Sequence, residues 1–124
     1  MKRLIAAAVL FAVVLTAYFT GYFYIKNVCK EAEALLEECV AEYNANENAL
    51  KSTEKLKRYW DKKEKMLSVF SSHSSIDEIE VAIYSLQEHS NSSDTSMFNE
   101  YTVRVKILIH QLLEDTVPTV HSVL

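Results

Sequence analysis

Residues 4–25 read LIAAAVLFAVVLTAYFTGYFYI, and this stretch decides how the rest of the chain is organised. It contains no charged residue, whereas Lys2 and Arg3 precede it and Lys26 follows it. As a helix the stretch spans roughly 33 Å, which is enough for the hydrocarbon core of a bilayer. The sequence therefore predicts a membrane-spanning helix over residues 4–25.

The charges around this helix predict which way the chain crosses the membrane. Basic flanks stay on the cytoplasmic side, so residues 1–3 are expected to form a cytoplasmic tip and residues 26–124 an extracytoplasmic domain. The aromatic residues from Tyr18 to Tyr24 suit the headgroup boundary at the outer end. The protein is thus predicted to be a single-pass protein of the cell membrane, with residues 4–25 as its signal-anchor.

A cleaved signal peptide is the alternative interpretation of the same stretch. Its apolar region would run from Leu4 to Leu15, with cleavage after Ala17, but Leu15 fits poorly where a small residue is expected. The apolar run also continues to Ile25, which is long for an export signal. We therefore prefer the uncleaved anchor, and both interpretations place the remaining chain outside the cytoplasm.

The composition of that remaining chain favours helices. Glycine occurs once, at Gly21, and proline once, at Pro118, although sheet-rich folds use both residues for tight turns. Residues 26–124 hold 11 of the 13 basic residues and all 17 acidic ones, a net charge of −6. No nucleic-acid partner is expected, because phosphate contacts need a basic surface.

Apolar residues recur every three or four positions in four successive segments, as they do on one face of a helix. The first segment extends the membrane helix as a stalk, and the others are expected at about 49–71, 76–89 and 97–117, with Pro118 ending the last. The expected core positions are Cys29, Ala32, Leu36, Cys39, Tyr43 and Leu50, then Thr53, Leu56, Tyr59, Trp60, Met66, Leu67 and Phe70, then Ile76, Ile79, Ile83, Tyr84 and Leu86, and finally Phe98, Tyr101, Val105, Leu108 and Leu112.

The last segment also alternates like a strand over residues 101–109, YTVRVKILI. No second segment alternates comparably, and a lone strand has nothing to pair with, so we predict a helix there. Helices with one apolar face each must bury those faces together. The predicted fold is therefore all-α, an N-terminal membrane helix followed by a small antiparallel helical bundle.

The stretch MLSVFSSHSSIDEIE, residues 66–80, predicts a stop and a restart between two helices. Ser75 and Glu78 have the spacing of a capping box, so the later helix is expected to begin after His73. His73 would then hydrogen-bond the last carbonyls of the preceding helix, which is a structural role. A metal pair made by His73 and Asp77 would need a helix that begins earlier.

No motif in the sequence predicts an enzyme, a cofactor or a metal site. The serines have no nucleophile-elbow sequence around them. A phosphate-binding loop needs glycines, and the single glycine lies in the apolar stretch. The four histidines have no ligand partners at zinc spacing other than the pair already considered. We therefore expect no catalytic, cofactor-binding or metal-binding residue.

The two cysteines allow two interpretations. Cys29 and Cys39 lie roughly 15 Å apart along one predicted helix, too far to bridge each other, and are expected to be small core residues. The alternative is a Cys29–Cys29 bridge across a parallel homodimer. Ala17 and Gly21, spaced four apart on the membrane helix, offer that dimer some support.

The pattern Trp60-x-x-Lys63…Phe70-x-x-His73-x-x-Ile76-Asp77-x-Ile79-Glu80 resembles a bacterial family of short proteins, which have a membrane segment and an extracytoplasmic helical domain of unknown function. The resemblance runs from the first residues to the apolar tail at Pro118–Leu124. It implies a membrane-anchored helical protein and no particular activity. The candidate structural or interaction residues are Trp60, Phe70, His73, Ile76 and Asp77 from this pattern, and Cys29 from the dimer hypothesis.

The function expected from these observations is that of a non-enzymatic, membrane-anchored accessory or scaffold protein, which presents a helical bundle to an envelope protein. Its expected partners are the lipid bilayer and that envelope protein, with a homodimer as a further option. The alternative is a sensory or small-ligand-binding bundle, because packed helices can hold an apolar ligand between them.

Overall fold

Four helices follow one another along the chain and are joined by short turns. The computed structural model describes residues 1–116, and in that range it has helices α1 (Lys2–Asn46), α2 (Leu50–Phe70), α3 (His73–Glu88) and α4 (Thr95–Thr116) and no strand. The predicted all-α class is confirmed, and so is a helix rather than a strand at residues 101–109. The predicted stop at Pro118 and the tail that follows lie outside the described residues.

Helix α1 is unbroken, so the apolar stretch and the stalk are one element. Side chains along residues 4–20 are exposed, apart from a partly covered Tyr18. From Gly21 onward one face of α1 is buried. By length and composition α1 is able to cross a membrane, and it is the one such helix in residues 1–116.

The four helices enclose one core. Helix α1 packs against α2 and α4, and α3 packs against the same two helices, so each helix has two neighbours. The apolar stripes of α2, α3 and α4 and that of α1 beyond Gly21 therefore meet in this core. The residues less than 2% exposed include Ile25, Cys29, Ala32, Cys39, Leu56, Trp60, Leu67, Ile76, Ile79, Ile83, Leu86, Phe98, Val105, Ile109 and Leu112, which confirms most of the predicted positions.

Four residues placed in the core by spacing are exposed instead, among them Met66 near the end of α2. Leu50 begins α2 rather than extending the stripe of α1, and its side chain is exposed. Tyr84 faces outward, with the ammonium of Lys57 4.2 Å from its ring centre. Phe70 is the last residue of α2. Spacing predicts the direction of a side chain around its helix, but not where the neighbouring helix stops covering it.

The turns after α1 and α3 are tied together. The Ala49 N–H donates to the Ser90 carbonyl over 2.8 Å, and the Tyr43 hydroxyl donates to the Ser92 carbonyl over 2.9 Å. The ring of Tyr43 also stacks on Phe98, with 3.9 Å between ring centres. These contacts close one end of the bundle, while the α2–α3 turn lies beside the middle of α1, at Gly21.

Candidate functional site

Gly21, Tyr24 and Phe70 meet where α2 ends against α1. A Cβ atom on Gly21 would lie 2.6 Å from Cδ1 of Phe70, so only a glycine leaves room for this ring. The ring of Tyr24 flanks Phe70, with 6.1 Å between ring centres. The one glycine of the chain therefore seats an aromatic side chain of the same chain. A dimer face at Gly21 would have to displace that ring.

The α2–α3 turn does not have the predicted capping box. Helix α3 begins at His73, before Ser75, and its N-cap residue Ser72 makes no side-chain cap hydrogen bond. The Ser72 hydroxyl is instead 3.0 Å from the hydroxyl of Ser74. The prediction of a start after His73 was therefore wrong, and the hydroxyl at the observed N-cap contacts a side chain instead of the backbone.

His73 and Asp77 are exposed and one turn apart on α3, whereas Ile76 is buried in the core. The expected hydrogen bond from His73 to the carbonyls at the end of α2 is not found within residues 1–116. The carbonyl of Leu67 accepts instead from the Ser71 N–H, over 2.9 Å. His73 is thus a surface residue of the turn.

Trp60 lies at the centre of α2 with 1% of its surface exposed. Its indole N–H has no hydrogen-bond partner within the described part of the chain. A buried unpaired donor costs on the order of 1–3 kcal/mol. Burial of Trp60 therefore adds apolar area to the core but leaves its indole N–H without a hydrogen bond.

Both cysteines are free and buried, as expected for core residues. The Cys29 thiol donates to the Ile109 carbonyl of α4, with sulfur and oxygen 3.8 Å apart. Burial and then the charge of Glu33 raise the pKa of Cys29 to about 12. Burial followed by Glu42 and Glu38 raises the pKa of Cys39 to about 12. A Cys29–Cys29 bridge would require α4 to leave its place.

An acidic group that the sequence analysis missed lies between α2 and α3. Oxygens of Asp61, Glu64 and Glu80 lie within 4.8 Å of one another. Desolvation, then the charge of Glu64 and a hydrogen bond with it, raises the pKa of Glu80, and Asp61 and Asp77 add to the effect. Only the packing of α2 on α3 brings these carboxyl groups together. When they are ionised, these carboxylates repel each other, and the repulsion opposes the packing of α2 on α3.

A groove of about 470 Å³ runs between α1 and α2, and its rim is mostly basic. Helix α2 carries a basic cluster made of Lys55, Lys57, Arg58, Lys62, Lys63 and Lys65. Lys55 reaches Glu38 of α1 over 3.4 Å, and both side chains are more than half exposed. Arg58 pairs with Glu54 on its own helix over 2.8 Å. Exposed pairs of this kind contribute at most about 1 kcal/mol each.

Comparison with known proteins places the chain in a family. No curated protein and no solved structure matches it. A family model described as "Domain of unknown function (DUF4363)" matches residues 19–122. That range covers the bundle and the outer end of the apolar stretch, and it agrees with the resemblance to an uncharacterised helical family. The chain belongs to the DUF4363 family.

Proposed function

We propose that the protein is a non-enzymatic, membrane-anchored accessory or scaffold protein with its bundle outside the cytoplasm. The observation that carries the proposal is the change along α1. Its first part is apolar on all sides and uncovered, whereas its second part is buried by α2 and α4. A helix that is apolar all round needs an apolar solvent, and a bilayer supplies one. Lys2 and Arg3 favour a cytoplasmic N-terminus.

The proposed role depends on rigid connection between anchor and bundle. One helix runs through both, so no flexible linker separates them. We infer that α1 and α2 are antiparallel, because Phe70 contacts Gly21, Lys55 reaches Glu38, and Ser52 donates to Glu42. The part of α1 beyond Ile25 is roughly 32 Å long, so the far turns would be held at about that height above the membrane. Such an element suits presentation of a surface to an envelope protein.

The absence of enzyme activity is proposed because charged groups in and beside the groove between α1 and α2 form exposed pairs with each other. Arg58 and Glu54, and Lys55 and Glu38, form pairs across an open groove. General acid–base chemistry needs a positioned group with a pKa near the working pH, usually in a site that excludes water.

Protease accessibility in intact spheroplasts tests the topology, using the full chain with an epitope tag after Leu124. Before digestion, the protein should be found in the membrane fraction. External protease should then remove the tag. A tag that is protected until the cells are lysed, or protein found in the soluble fraction, would contradict the proposal.

Crosslinking in the same cells tests the scaffold role and should yield a product that contains this chain and a different envelope protein. Crosslinked products containing only this chain would overturn the scaffold role and favour a homodimer.

A small-ligand-binding bundle is the second candidate, and the unpaired indole N–H of Trp60 favours it. A ligand that accepted this hydrogen bond inside the core would remove the cost of burying the donor. Native mass spectrometry of the purified protein should then show a bound small molecule that is lost in Trp60→Phe. A wild-type spectrum containing only the bare chain and lipid would contradict this candidate.

A further inference from the structure

We propose that the α2–α3 turn is a second contact with the bilayer, where Met66, Val69 and Phe70 enter the extracytoplasmic headgroup boundary. This patch, Met66–Val69–Phe70, would rest on the same membrane that α1 crosses. The inference rests on the proposed function, since it takes α1 as the anchor. It adds that the bundle is held to the membrane surface at two places rather than one.

The level of the turn along α1 is the first argument. Phe70 seats on Gly21, so the end of α2 is at the height of Gly21. From Leu4 to Gly21 the helix spans roughly 27 Å, close to the roughly 30 Å of a hydrocarbon core. If Leu4 lies at the inner edge of the core, Gly21 stands close to its outer edge, where the aromatic residues from Tyr18 to Tyr24 are found. The end of α2 then stands there too.

The exposure of the patch is the second argument. Val69 is 72% exposed, Met66 51% and Phe70 38%. Val69 and Phe70 follow Met66 by three and four residues, so both lie next to Met66 on the surface of α2 near its end. Phe23 of α1 is 55% exposed. Exposed apolar side chains are therefore found both on α1 and at the end of α2, close to the level of Gly21.

The order of residue types above the patch is the third argument. The ring of Tyr24 lies next to Phe70, and the ammonium of Lys63 lies 5.9 Å from the centre of that ring. Lys63 precedes Phe70 by seven residues, so it stands roughly 10 Å further out along α2. Lys65 is exposed between these two levels. On the side of α2 that faces α1, apolar, aromatic and cationic groups thus follow each other outward, as they do across a bilayer boundary facing anionic headgroups. On the side where α2 meets α3 lie the acidic residues Asp61, Glu64 and Glu80.

A depth measurement on the full chain in vesicles tests the inference. Val69→Cys is labelled with the fluorophore NBD, and the protein is reconstituted in phosphatidylcholine containing phosphatidylglycerol. The native thiols are buried, so the introduced cysteine takes the label. Quenching is then measured with phosphatidylcholine that carries a nitroxide on its acyl chain. Circular dichroism of each labelled variant checks that the bundle is intact.

Two matched controls report on exposed valines elsewhere in the bundle. Val81 in α3 is 63% exposed and Val103 in α4 is 54% exposed. Both residues lie further from the α2–α3 turn, and therefore further from the membrane, than Val69 does. The nitroxide on the lipid should therefore quench their probes only weakly. The probe at Val69 should be quenched at least about twofold more strongly than these two, because an interfacial face enters the headgroup and acyl boundary by several ångströms.

A probe at Val13 separates failure of this inference from failure of the anchor. Val13 lies in the middle of the apolar stretch and is 59% exposed in the absence of lipid. Strong quenching at Val13 with no excess at Val69 would overturn the second contact and keep the anchor. Absence of quenching at Val13 would overturn the proposed function. A Val69 probe that is shielded from both the lipid quencher and aqueous iodide would show that a protein covers the patch, which would also overturn the lipid contact.

Discussion

The two parts of α1 have similar apolar residues and opposite surroundings. In the first part Val9, Leu10 and Val13 are 58%, 66% and 59% exposed, while in the second part Val28 and Leu36 are 2% and 3% exposed. Both parts are regular helix. The difference is that α2 and α4 reach only the second part. Helix formation and apolar character are local properties, but burial depends on what packs alongside.

The uncovered part would be an unusual surface in water. Soluble monomers rarely expose a contiguous apolar patch larger than a few hundred Å². Residues 4–20 expose apolar side chains on every side of a helix, which a single docking partner would cover only on one side. This asymmetry is the physical basis for proposing lipid around the first part. It also provides matched positions at which one substitution should have two different effects.

The largest effect is expected from placing one carboxylate in each part. Ala32→Asp would put an unpaired charge at a position with no exposure, at a cost on the order of 4 kcal/mol or more, comparable to the stability of a small domain. We expect no cooperative thermal transition for this variant by circular dichroism in detergent. Val13→Asp should melt within about 2 °C of wild type.

Membrane fractionation completes this test. Val13→Asp should reduce the membrane-integrated fraction, because an aspartate at the centre of a spanning helix costs about 2.5–3.5 kcal/mol of insertion free energy. Unfolding of the bundle by Val13→Asp in detergent, or a wild-type melting curve for Ala32→Asp, would contradict the claim that the bundle covers only the second part of α1.

A smaller effect is expected from removing the same side chain in each part. Leu36→Ala should lower the free energy of unfolding by about 2–4 kcal/mol, because it leaves a cavity between α1 and its neighbours. Leu10→Ala should change it by less than about 0.5 kcal/mol in detergent, since no helix of the bundle covers that side chain. Urea unfolding in a fixed detergent measures both values. Equal losses would mean that the first part also packs against the bundle.

The boundary between the parts should show coupling between Gly21 and Phe70. Gly21→Ala alone combines a helix-propensity gain of about 1 kcal/mol with a clash against the Phe70 ring. In a Phe70→Ala background only the gain remains. A double-mutant cycle should therefore give a coupling free energy of about 1–2 kcal/mol. Phe98→Ala, remote from Gly21, is the control background and should show no coupling.

The smallest effect is expected from a charged residue, Glu80, whose removal should change the thermal stability in a pH-dependent way. The pKa of Glu80 is raised, first by desolvation and then by Glu64, so folding is disfavoured once Glu80 ionises. Stability should therefore rise as the pH falls through this raised pKa. Glu80→Gln should melt about 1–2 °C above wild type at pH 7 and lose that advantage near pH 4. Glu37→Gln, an exposed change on α1, should show no such pH-dependent gain.

Much of the helical architecture was predictable because it depends on local spacing. The stripes Ile76–Ile79–Ile83–Leu86 and Phe98–Val105–Leu112 are buried as expected. The second helix was expected from about residue 49, and α2 begins at Leu50, after asparagines that favour caps and turns. These predictions succeeded because side-chain direction repeats with the helical period, and because poor helix formers interrupt it.

The features of the candidate site were less predictable because they join distant parts of the chain. The contact of Phe70 with Gly21 and the meeting of Glu64 with Glu80 both depend on how far each helix slides along its neighbour. A lone glycine inside a helical pattern did hint at a close approach, but not at what approaches. The start of α3 was misplaced by a few residues, because four serines surround His73 and each of them is a residue type that favours an N-cap.

The sequence by itself determined that this protein is helical, that its first helix is apolar on all sides, and which face of each later helix is apolar. These properties follow from residue types and their spacing along one element. Only the tertiary structure decided that α1 is covered from Gly21 onward, that Phe70 occupies the space above this glycine, and that Met66 and Val69 remain uncovered beside it. The register between helices is set by the fit of many side chains at once, which no single segment contains.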